Sequence, residues 1–259
     1  MNETTQGEVA REFSVARRTN GFMTAHALRK LETIADAYRL QGRVRDELGA
    51  KVVGWKVAAP PSADVISAPL FDIECLASDA VLANAALLRD GIECELAFRI
   101  DRPLPLGGCT RDDVITAVGA VMPAFELLCS RLPSKFASPR EHIVADGMGH
   151  GAVVLGAPCG DWRTLELDKL RVTLWADDAL VVDKQGGNPF GDPLRAVALL
   201  ADHLARRGQA LEAGNFVLAG SHTGVHRARP GERLRCLFEG VGQVALTLSK
   251  AEEQNHAGR

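Results

Sequence analysis

The stretch Gly91-Ile-Glu-Cys-Glu-Leu-Ala-Phe-Arg-Ile100 places two carboxylates one residue apart within a largely apolar run. Side chains on a β-strand point to opposite faces in turn, so Glu93 and Glu95 project from one face of a predicted strand. Cys94 and Leu96 then point the other way, into a core. Neighbouring carboxylates repel each other unless they are protonated or a cation lies between them. The stretch therefore predicts a strand with an acidic pair on one face.

A third carboxylate lies in the next apolar run, Met122-Pro-Ala-Phe-Glu-Leu-Leu-Cys129. Burying Glu126 without a partner would be costly. Mg²⁺ and Mn²⁺ favour oxygen ligands and often retain water or substrate positions, so a hard divalent cation shared by the three glutamates resolves both problems. The residues alone leave an alternative open, in which the strand face is solvated and one glutamate pairs with an arginine such as Arg99 or Arg131.

The composition indicates a globular protein of one large domain, with or without a small N-terminal appendage. The chain has 259 residues, of which 46% are hydrophobic and 24% charged, and a net charge of -3. This charge gives no electrostatic footprint for nucleic acid or an anionic membrane, and no apolar run approaches the roughly 18 residues that span a bilayer. The polar opening is not a signal peptide, and the six cysteines form no Cys-x-x-Cys pair. We therefore expect a cytoplasmic protein with reduced thiols.

Three segments are predicted to be helical. Residues from Thr24 to about Arg43 form an amphipathic pattern, and Thr110-Arg-Asp-Asp113 opens a second helix with Thr110 as its N-cap. The clearest helix runs from Pro193 to about Arg207, because Asp192 can cap it and Gly208 can end it.

Most of the remaining chain reads as short strands separated by Gly, Asp and Pro. Asp177-Asp178 and Glu239-Gly240-Val241-Gly242 are predicted turns. A long series of strands with few helices favours an α+β fold with a mixed or barrel-like central sheet over a doubly wound parallel sheet. Besides the acidic runs, the predicted strands are 51–57, 153–155, 171–176, 179–182, 216–219, 233–238 and 242–248.

Several of these segments share one ordered pattern: Glu-x-Glu, then Pro-Ala-x-Glu, then Gly-Ser-x-Thr. With them, the chain from about residue 25 to residue 248 resembles the 2-keto-4-pentenoate hydratase and 4-oxalocrotonate decarboxylase family, within the fumarylacetoacetate hydrolase superfamily. The matching stretches are Gly54-Trp-Lys-Val-Ala58, Ile92-Glu-Cys-Glu-Leu-Ala-Phe98, Pro123-Ala-Phe-Glu-Leu-Leu-Cys-Ser-Arg131, Val144-Ala-Asp-Gly147, Val153-Val-Leu-Gly156, Gly191-Asp-Pro-Leu-Arg-Ala-Val-Ala-Leu-Leu-Ala201, Val217-Leu-Ala-Gly-Ser-His-Thr223 and Pro230-Gly-Glu232.

The resemblance implies a mixed α/β fold, here classed as α+β, with a distorted β-barrel-like core and a few flanking helices. Residues 51–249 would form the catalytic domain, residues 1–50 an N-terminal helical segment packed on it, and residues 250–259 a frayed tail. In that family the positions matching Glu93, Glu95 and Glu126 bind Mg²⁺ or Mn²⁺. The resemblance also implies a homo-oligomer acting on a small 2-oxo acid or dienol, and an association with a partner enzyme of the pathway, since hydratases and decarboxylases of this type can associate.

Two further positions match catalytic residues of the family. Lys56, in the middle of a predicted strand, is the candidate acid/base or charge-stabilising partner, and a nearby metal with partial burial would lower its pKa. The alternative is a lysine that extends from an edge strand into water. Asp72, in Pro69-Leu-Phe-Asp72, resembles the acidic residue that follows the lysine segment, although an exposed turn aspartate fits equally.

The loop Gly147-Met-Gly-His-Gly151 departs from the family, which usually has serines here. His150 is a candidate substitute for the missing serine, but the flanking glycines favour a turn that places this histidine in solvent. A phosphate-binding loop is disfavoured because no P-loop lysine accompanies it. Ser221 lacks the Gly-x-Ser-x-Gly elbow of a nucleophile and is interpreted as a substrate-pocket hydroxyl or a turn residue. A second departure is Val57-Ala-Ala-Pro-Pro-Ser-Ala63, where hydratases usually carry a Thr-Ser pair.

The predicted activity is a metal-dependent hydratase that adds water to a 2-hydroxy-2,4-dienoate, giving a 4-hydroxy-2-oxo acid in the degradation of aromatic compounds. A decarboxylase of the 4-oxalocrotonate type on the same scaffold is the nearest alternative. An acylpyruvate C–C hydrolase and a non-catalytic partner subunit are further alternatives. The last is disfavoured because the three glutamates and Lys56 are all retained.

Overall fold

Helices and strands alternate irregularly along the chain in a computed structural model that describes residues 1–59, 64–83 and 89–250. Of the predicted tail, only Lys250 lies within these residues. The helices are α1 (Glu3–Thr19), α2 (Ala25–Leu28), α3 (Ile34–Leu48), α4 (Arg111–Ala117), α5 (Arg140–Ala145) and α6 (Leu194–Ala205). The strands are β1 (Val52–Ala58), β2 (Ile66–Phe71), β3 (Cys75–Ala77), β4 (Ala80–Leu82), β5 (Gly91–Ile100), β6 (Val118–Leu128), β7 (His150–Leu155), β8 (Arg171–Ala176), β9 (Ala179–Gln185), β10 (Phe216–Ser221), β11 (Arg233–Phe238) and β12 (Gly242–Leu248).

The strands form two sheets within the described ranges. One has the order β2-β1-β10-β5-β6-β7-β3 and the other the order β4-β12-β11-β8-β9. Pairing is mixed, because β1 runs parallel to β10 while β5 runs antiparallel to both β10 and β6. The predicted α+β class with a mixed, barrel-like core is confirmed.

The acidic stretch occupies a central position in the larger sheet, as strand β5. Its pairing with β6 places Glu93 directly opposite Glu126, and its pairing with β10 places Glu95 opposite Ser221. Cys94 and Leu96 lie on the opposite face and are fully buried in the main hydrophobic core. The strand therefore presents its carboxylates to one side of the sheet and anchors itself by the other.

The predicted helix from Thr24 to about Arg43 is divided in two. Thr24 caps the short helix α2, and a second cap follows at Thr33, whose side-chain oxygen accepts a hydrogen bond from the Asp36 amide. A good N-cap starts a new helix because it satisfies amides that have no partner within the helix. The apolar spacing continues across this break, and spacing alone therefore suggested one continuous helix.

The other predicted helices are close to those observed. Thr110 caps α4 through a reciprocal capping box with Asp113, and the Asp192 side chain accepts a hydrogen bond from the Leu194 amide at the start of α6. No limits were predicted for α1, which packs through Val9 and Phe13 into a cluster that also contains residues of α3, β2 and α5. No helix in the described part of the chain is long and apolar enough to cross a membrane.

Two buried histidines predict a pH-dependent stability. The pKa of His203 and of His222 is lowered to about 4 because burial disfavours the imidazolium, and nearby cations add to this effect. A lowered histidine pKa adds stability above the unfolded value of about 6.5, and this stability is lost as the pH falls towards 4. As the pH falls, the free energy of unfolding should decrease, and we expect each histidine to contribute at most about 1.4 kcal/mol per pH unit to this decrease.

Urea unfolding between pH 7 and pH 5 checks this expectation, because most carboxylates are still ionised in that window. The curve of His203→Gln serves as the internal reference, since this variant lacks one of the two titrating rings. A free energy of unfolding that responds to pH identically in the variant and the parent would contradict the assignment.

Candidate metal centre

Three carboxylates converge on one side of the larger sheet. One oxygen of each of Glu93, Glu95 and Glu126 lies within 4.8 Å of an oxygen of the other two. Glu95 and Glu126 are buried, and Glu93 is half-buried. The arrangement follows from the cross-strand pairing of β5 with β6, since directly opposite residues on one face have Cβ atoms about 5 Å apart.

The positive charge beside the cluster does not balance the negative charge of its three carboxylates. Burial, followed by the charges of Glu126 and Glu93, raises the pKa of Glu95 well above its ordinary value, although the Gly220 amide donates to its Oε2 at 2.8 Å. Burial and then Glu126 also raise the pKa of Glu93. Burial would raise the pKa of Glu126 too, but Lys56 and His150 outweigh burial and lower it. A cation between the three carboxylates would relieve this repulsion.

Lys56 lies against the cluster from β1. Its Nζ is 2.5 Å from Glu126 Oε1 and 3.3 Å from the Met148 carbonyl oxygen, and the residue is buried. Strand β1 lies between β2 and β10, so this lysine does not extend from an edge strand into water. Burial would lower the pKa of Lys56, as expected from the sequence, but the charges of the three glutamates raise it. The three glutamates therefore favour the ammonium form of this side chain.

The residues present fit a divalent cation. Glu126 Oε1 receives both Lys56 and His150, whereas Glu126 Oε2 is buried and has no hydrogen-bond partner among the described residues. Three carboxylates face a single lysine, so a net negative charge remains in this largely buried cluster. A donor set made only of oxygens suits hard ions such as Mg²⁺ and Mn²⁺.

The cluster lines part of a cavity of about 500 Å³, and we call this acidic part of the lining the floor. Its polar groups contact one another: Lys56 bonds to Glu126, and Ser221 lies beside Glu93 and also accepts a hydrogen bond from the Gly224 amide at 3.0 Å. The remaining walls are largely apolar, so the cavity joins a charged floor to a hydrophobic enclosure, as small-molecule sites commonly do. The apolar wall consists of Val57, Ala58, Ala59, Met148, Pro189 and Phe190.

The preference for a solvent-facing His150 is wrong. Its side chain is fully buried, and Nδ1 lies 2.9 Å from Glu126 Oε1. Gly147, Met148 and Gly149 adopt left-handed backbone angles that turn the chain, so that His150 becomes the first residue of β7. The sequence predicted a strand from Val153, and extending it towards the N-terminus would have included this histidine. The neighbouring glycines suggested a free loop instead.

A buried ion pair holds this turn in place. Arg131 Nε lies 2.5 Å from Asp146 Oδ1, and Arg131 Nη1 donates to the His150 carbonyl at 2.6 Å. Asp146 also accepts hydrogen bonds from the Ser130 hydroxyl and the Arg131 amide. Arg131 is thus committed to Asp146, and Arg99 pairs with Asp101, so neither arginine neutralises a glutamate of the cluster. The alternative in which Arg99 or Arg131 pairs with one of these glutamates is therefore wrong.

We expect Arg131→Met to lower the free energy of unfolding by about 3–5 kcal/mol, because it leaves the buried Asp146 carboxylate without its counter-charge. Arg99→Met is the matched control, since its pair with Asp101 is largely exposed and worth roughly 0–1 kcal/mol. Urea unfolding of both variants beside the parent measures the difference. Equal losses in the two variants would show that the Arg131 pair carries no special stabilisation.

The structure does not bring Asp72 to the cluster. It is exposed, and its Oδ1 accepts hydrogen bonds from the amides of Lys51 and Ile73. The nearby Glu74, which the sequence analysis did not single out, comes closer: its Oε2 is 3.9 Å from His150 Nε2, and its Oε1 binds the guanidinium of Arg17. A line of charged groups therefore runs from α1 to the buried histidine behind Glu126.

Comparisons with known proteins agree with this fold. A scan against protein-family models finds no match. The chain is 30% identical over 227 residues to 2-keto-4-pentenoate hydratase of Paraburkholderia xenovorans, covering 82% of each chain. It is 29% identical over 243 residues to 4-oxalocrotonate decarboxylase of Pseudomonas putida, covering 87% of this chain and 92% of that one.

Solved structures show the same architecture. A 4-oxalocrotonate decarboxylase from Pseudomonas putida, complexed with magnesium and adipate, superposes with a TM-score of 0.86 at 25% identity, over 96% of this chain and 98% of that chain. A fumarylpyruvate hydrolase from Pseudomonas aeruginosa shares the fold with a TM-score of 0.56 at 14% identity, over 76% of this chain and 88% of that one.

The fold and its acidic cavity define an enzyme of the fumarylacetoacetate hydrolase superfamily. Within it, the chain belongs to the family of 2-keto-4-pentenoate hydratases and 4-oxalocrotonate decarboxylases, and it is a lyase of that family.

Proposed function

We propose that this enzyme is a divalent-metal-dependent hydratase that adds water to a 2-hydroxy-2,4-dienoate. The observation that carries the proposal is the division of the cavity into an acidic floor and an apolar wall. A short dienoate has the same division, because its carboxylate and 2-hydroxyl oxygens lie at one end and its uncharged vinyl group at the other. The apolar wall offers the vinyl end a surface that removes it from water.

Glu93, Glu95 and Glu126 would hold the metal, which we propose to be Mg²⁺ or Mn²⁺. When bound, it supplies Lewis acidity that stabilises negative charge on the 2-oxo oxygen. The half-buried Glu93 is the member of the three nearest to solvent, while Glu95 is fixed by the Gly220 amide. Ser221, beside Glu93, can donate or accept a hydrogen bond at the substrate end of the floor.

Lys56 is the cationic side chain among the residues that line the cavity. Ketonisation of the dienol requires a proton to reach the carbon chain, and the addition of water at C4 requires a second proton transfer. An ammonium 2.5 Å from Glu126 Oε1 can hold a proton at this end of the cavity and balance negative charge that develops on the substrate. We assign Lys56 to these roles and give Asp72 none, because its carboxylate is bonded to backbone amides at the surface.

Decarboxylation of a 2-oxo-3-enedioate is the second candidate. The whole-chain similarity to a decarboxylase supports it. Such a substrate carries a second carboxylate, which would lie among apolar side chains, and the lining residues offer it no second lysine or arginine. An apolar surrounding raises the energy of a carboxylate and can favour its loss, so this wall is compatible with both reactions.

One assay distinguishes the two reactions. The protein, loaded with Mg²⁺ or Mn²⁺, is incubated with 2-hydroxypenta-2,4-dienoate and separately with 4-oxalocrotonate, while ultraviolet absorbance and carbon dioxide release are followed. The proposal expects loss of dienol absorbance without carbon dioxide, and loss of this activity when EDTA is added. Carbon dioxide release from the enedioate with an unchanged dienoate would overturn the hydratase assignment in favour of the decarboxylase.

We expect His150→Ala to lower turnover of the dienoate by about tenfold or more, because the ring holds Glu126 Oε1 in a fully buried position. The metal affinity should fall together with turnover, since the carboxylate loses the side chain that orients it. His142→Ala is the control, because this histidine lies on α5 and does not line the cavity. Full activity and unchanged metal affinity in His150→Ala would remove His150 from the site.

A further inference from the structure

A second cavity of about 740 Å³ lies on another part of the surface and is markedly basic. The side chains of Arg140, Arg206 and Arg207 line it, and Asp64 is the acidic residue among the lining. It shares no lining residue with the acidic cavity. The proposed hydration uses none of these groups, so their arrangement calls for a separate explanation.

Arg140 and Arg207 are held in place without being neutralised. The Arg207 Cζ atom lies 3.5 Å from the centroid of the Tyr38 ring, and its Nη1 is 3.4 Å from the Ser67 hydroxyl. Arg140 donates to the carbonyl oxygen of Asp64. No carboxylate within the described ranges forms an ion pair with Arg140, Arg206 or Arg207, whereas Arg111 and Arg171 each have one. Fixed guanidinium groups without a counter-charge are suited to bind an oxyanion.

A buried histidine adds a polar group that points to a ligand. His203 lines the cavity and is only 8% exposed, and its Nε2 is buried without a hydrogen-bond partner among the residues described. Its ring lies 5.4 Å from the Tyr38 ring. Burial and the three arginines keep the ring neutral, since they lower its pKa to about 4. A neutral ring can donate or accept one hydrogen bond, which leaves Nε2 available to a molecule in the cavity.

The rest of the wall is apolar. Ile34 and Ala35 from the start of α3 face the cavity together with Val65 and Ile66 near the start of β2. Inorganic phosphate would use the arginines and leave this wall in contact with water. A ligand that satisfies both parts has an anionic head and a hydrophobic body.

We propose that this basic cavity binds an organic carboxylate whose hydrophobic body packs on the apolar wall, as a site separate from the catalytic one. The carboxylate accepts hydrogen bonds from the guanidinium groups of Arg140 and Arg207. The body lies against Ile34 and Val65, beside the Tyr38 ring.

Three probes test the two requirements separately. Benzoate carries both the charge and the hydrophobic body, benzamide carries the body without the charge, and inorganic phosphate carries the charge without the body. Calorimetric titrations are done on protein that has been freed of metal with EDTA and then dialysed into buffer without it. A carboxylate then cannot bind through a metal at the acidic cluster, and EDTA does not compete for the basic cavity. We expect benzoate to bind at least tenfold more tightly than either of the other two. Equal binding of benzoate and benzamide would overturn the proposal.

Variants locate the site. Arg207→Met and Arg140→Met should each weaken benzoate binding at least tenfold, while Arg102→Met, which removes an exposed charge outside the cavity, should leave it unchanged. Thermal unfolding checks that each variant is folded. Benzoate binding that is equal in all three variants would overturn the proposal. Absence of benzoate binding to the parent protein would also overturn it, and a change of oligomeric state in Arg207→Met would then indicate that a second copy of the chain occupies the cavity.

Discussion

Glu126→Gln is expected to weaken divalent-metal binding and to lower turnover by about 100-fold or more, while the fold stays intact. The substitution keeps the shape of the side chain but removes the charge that a hard cation requires. It also places an amide where Oε1 now receives Lys56 and His150, and an amide nitrogen at that position would face two further donors. The loss should therefore exceed that of changing a residue behind the ligands, which typically costs about 10–100-fold.

Calorimetric titration with Mg²⁺ and Mn²⁺, combined with the dienoate assay, measures both effects. Glu239→Gln is the matched control, because Glu239 is exposed in the turn between β11 and β12. The metal should raise the unfolding temperature of the parent and of the control but not of Glu126→Gln, since a ligand stabilises only a protein that binds it. An unchanged metal dependence in Glu126→Gln would show that the three glutamates are not the metal site.

Lys56→Met is expected to lower turnover by roughly 100-fold or more, because it removes the proton donor and the positive charge that the substrate end of the cavity provides. Metal affinity should be maintained or increased, since the variant loses a cation that competes for Glu126 Oε1. This divergence between turnover and metal affinity separates Lys56 from the three glutamates, for which both quantities should fall together.

Lys51→Met is the control for this variant, since Lys51 precedes the same strand but is exposed. Lys56→Arg provides a further comparison, because arginine keeps the charge but does not release a proton. Near-parental turnover in Lys56→Met would return Lys56 to a purely structural role. Activity that is retained in Lys56→Arg and lost in Lys56→Met would assign the lysine to charge stabilisation instead of proton transfer.

Much of the fold follows from patterns within short stretches of the chain. Strand β5 was predicted from its alternation, and Thr110 and Asp192 marked the starts of two helices correctly. The division of the helix after Thr24 was missed, because a capping side chain at Thr33 competes with an apolar spacing that continues through it. Which strands become neighbours depends on contacts between distant segments, and the pairing of β1 with β10 is not encoded in either strand alone.

The residues of the candidate site also fall into those that short patterns predicted and those that depend on contacts between distant segments. Glu93 and Glu95 share a face because of a period of two residues, and Glu126 was identified as a carboxylate within an apolar run. The resemblance to a known family then favoured the shared metal site and the role of Lys56. His150 was misplaced because its glycine neighbours suggested a free loop, whereas Arg131 and Asp146 hold that turn in the interior. Glu74 escaped notice because it lies in a short 3-10 turn, where no strand or helix period indicates the direction of its side chain.

The parallel pairing of β1 with β10 affects when the site can be completed during synthesis of the chain. Strands β5 and β6 are neighbours in the sheet and form an antiparallel pair, and both have been synthesised once residue 128 has been added. Lys56 lies on β1, which precedes both strands in the chain. In the sheet, however, β10 lies between β1 and β5, and β10 is complete only at Ser221. The chain thus completes both acidic strands well before it completes β10, the strand that brings Lys56 beside them.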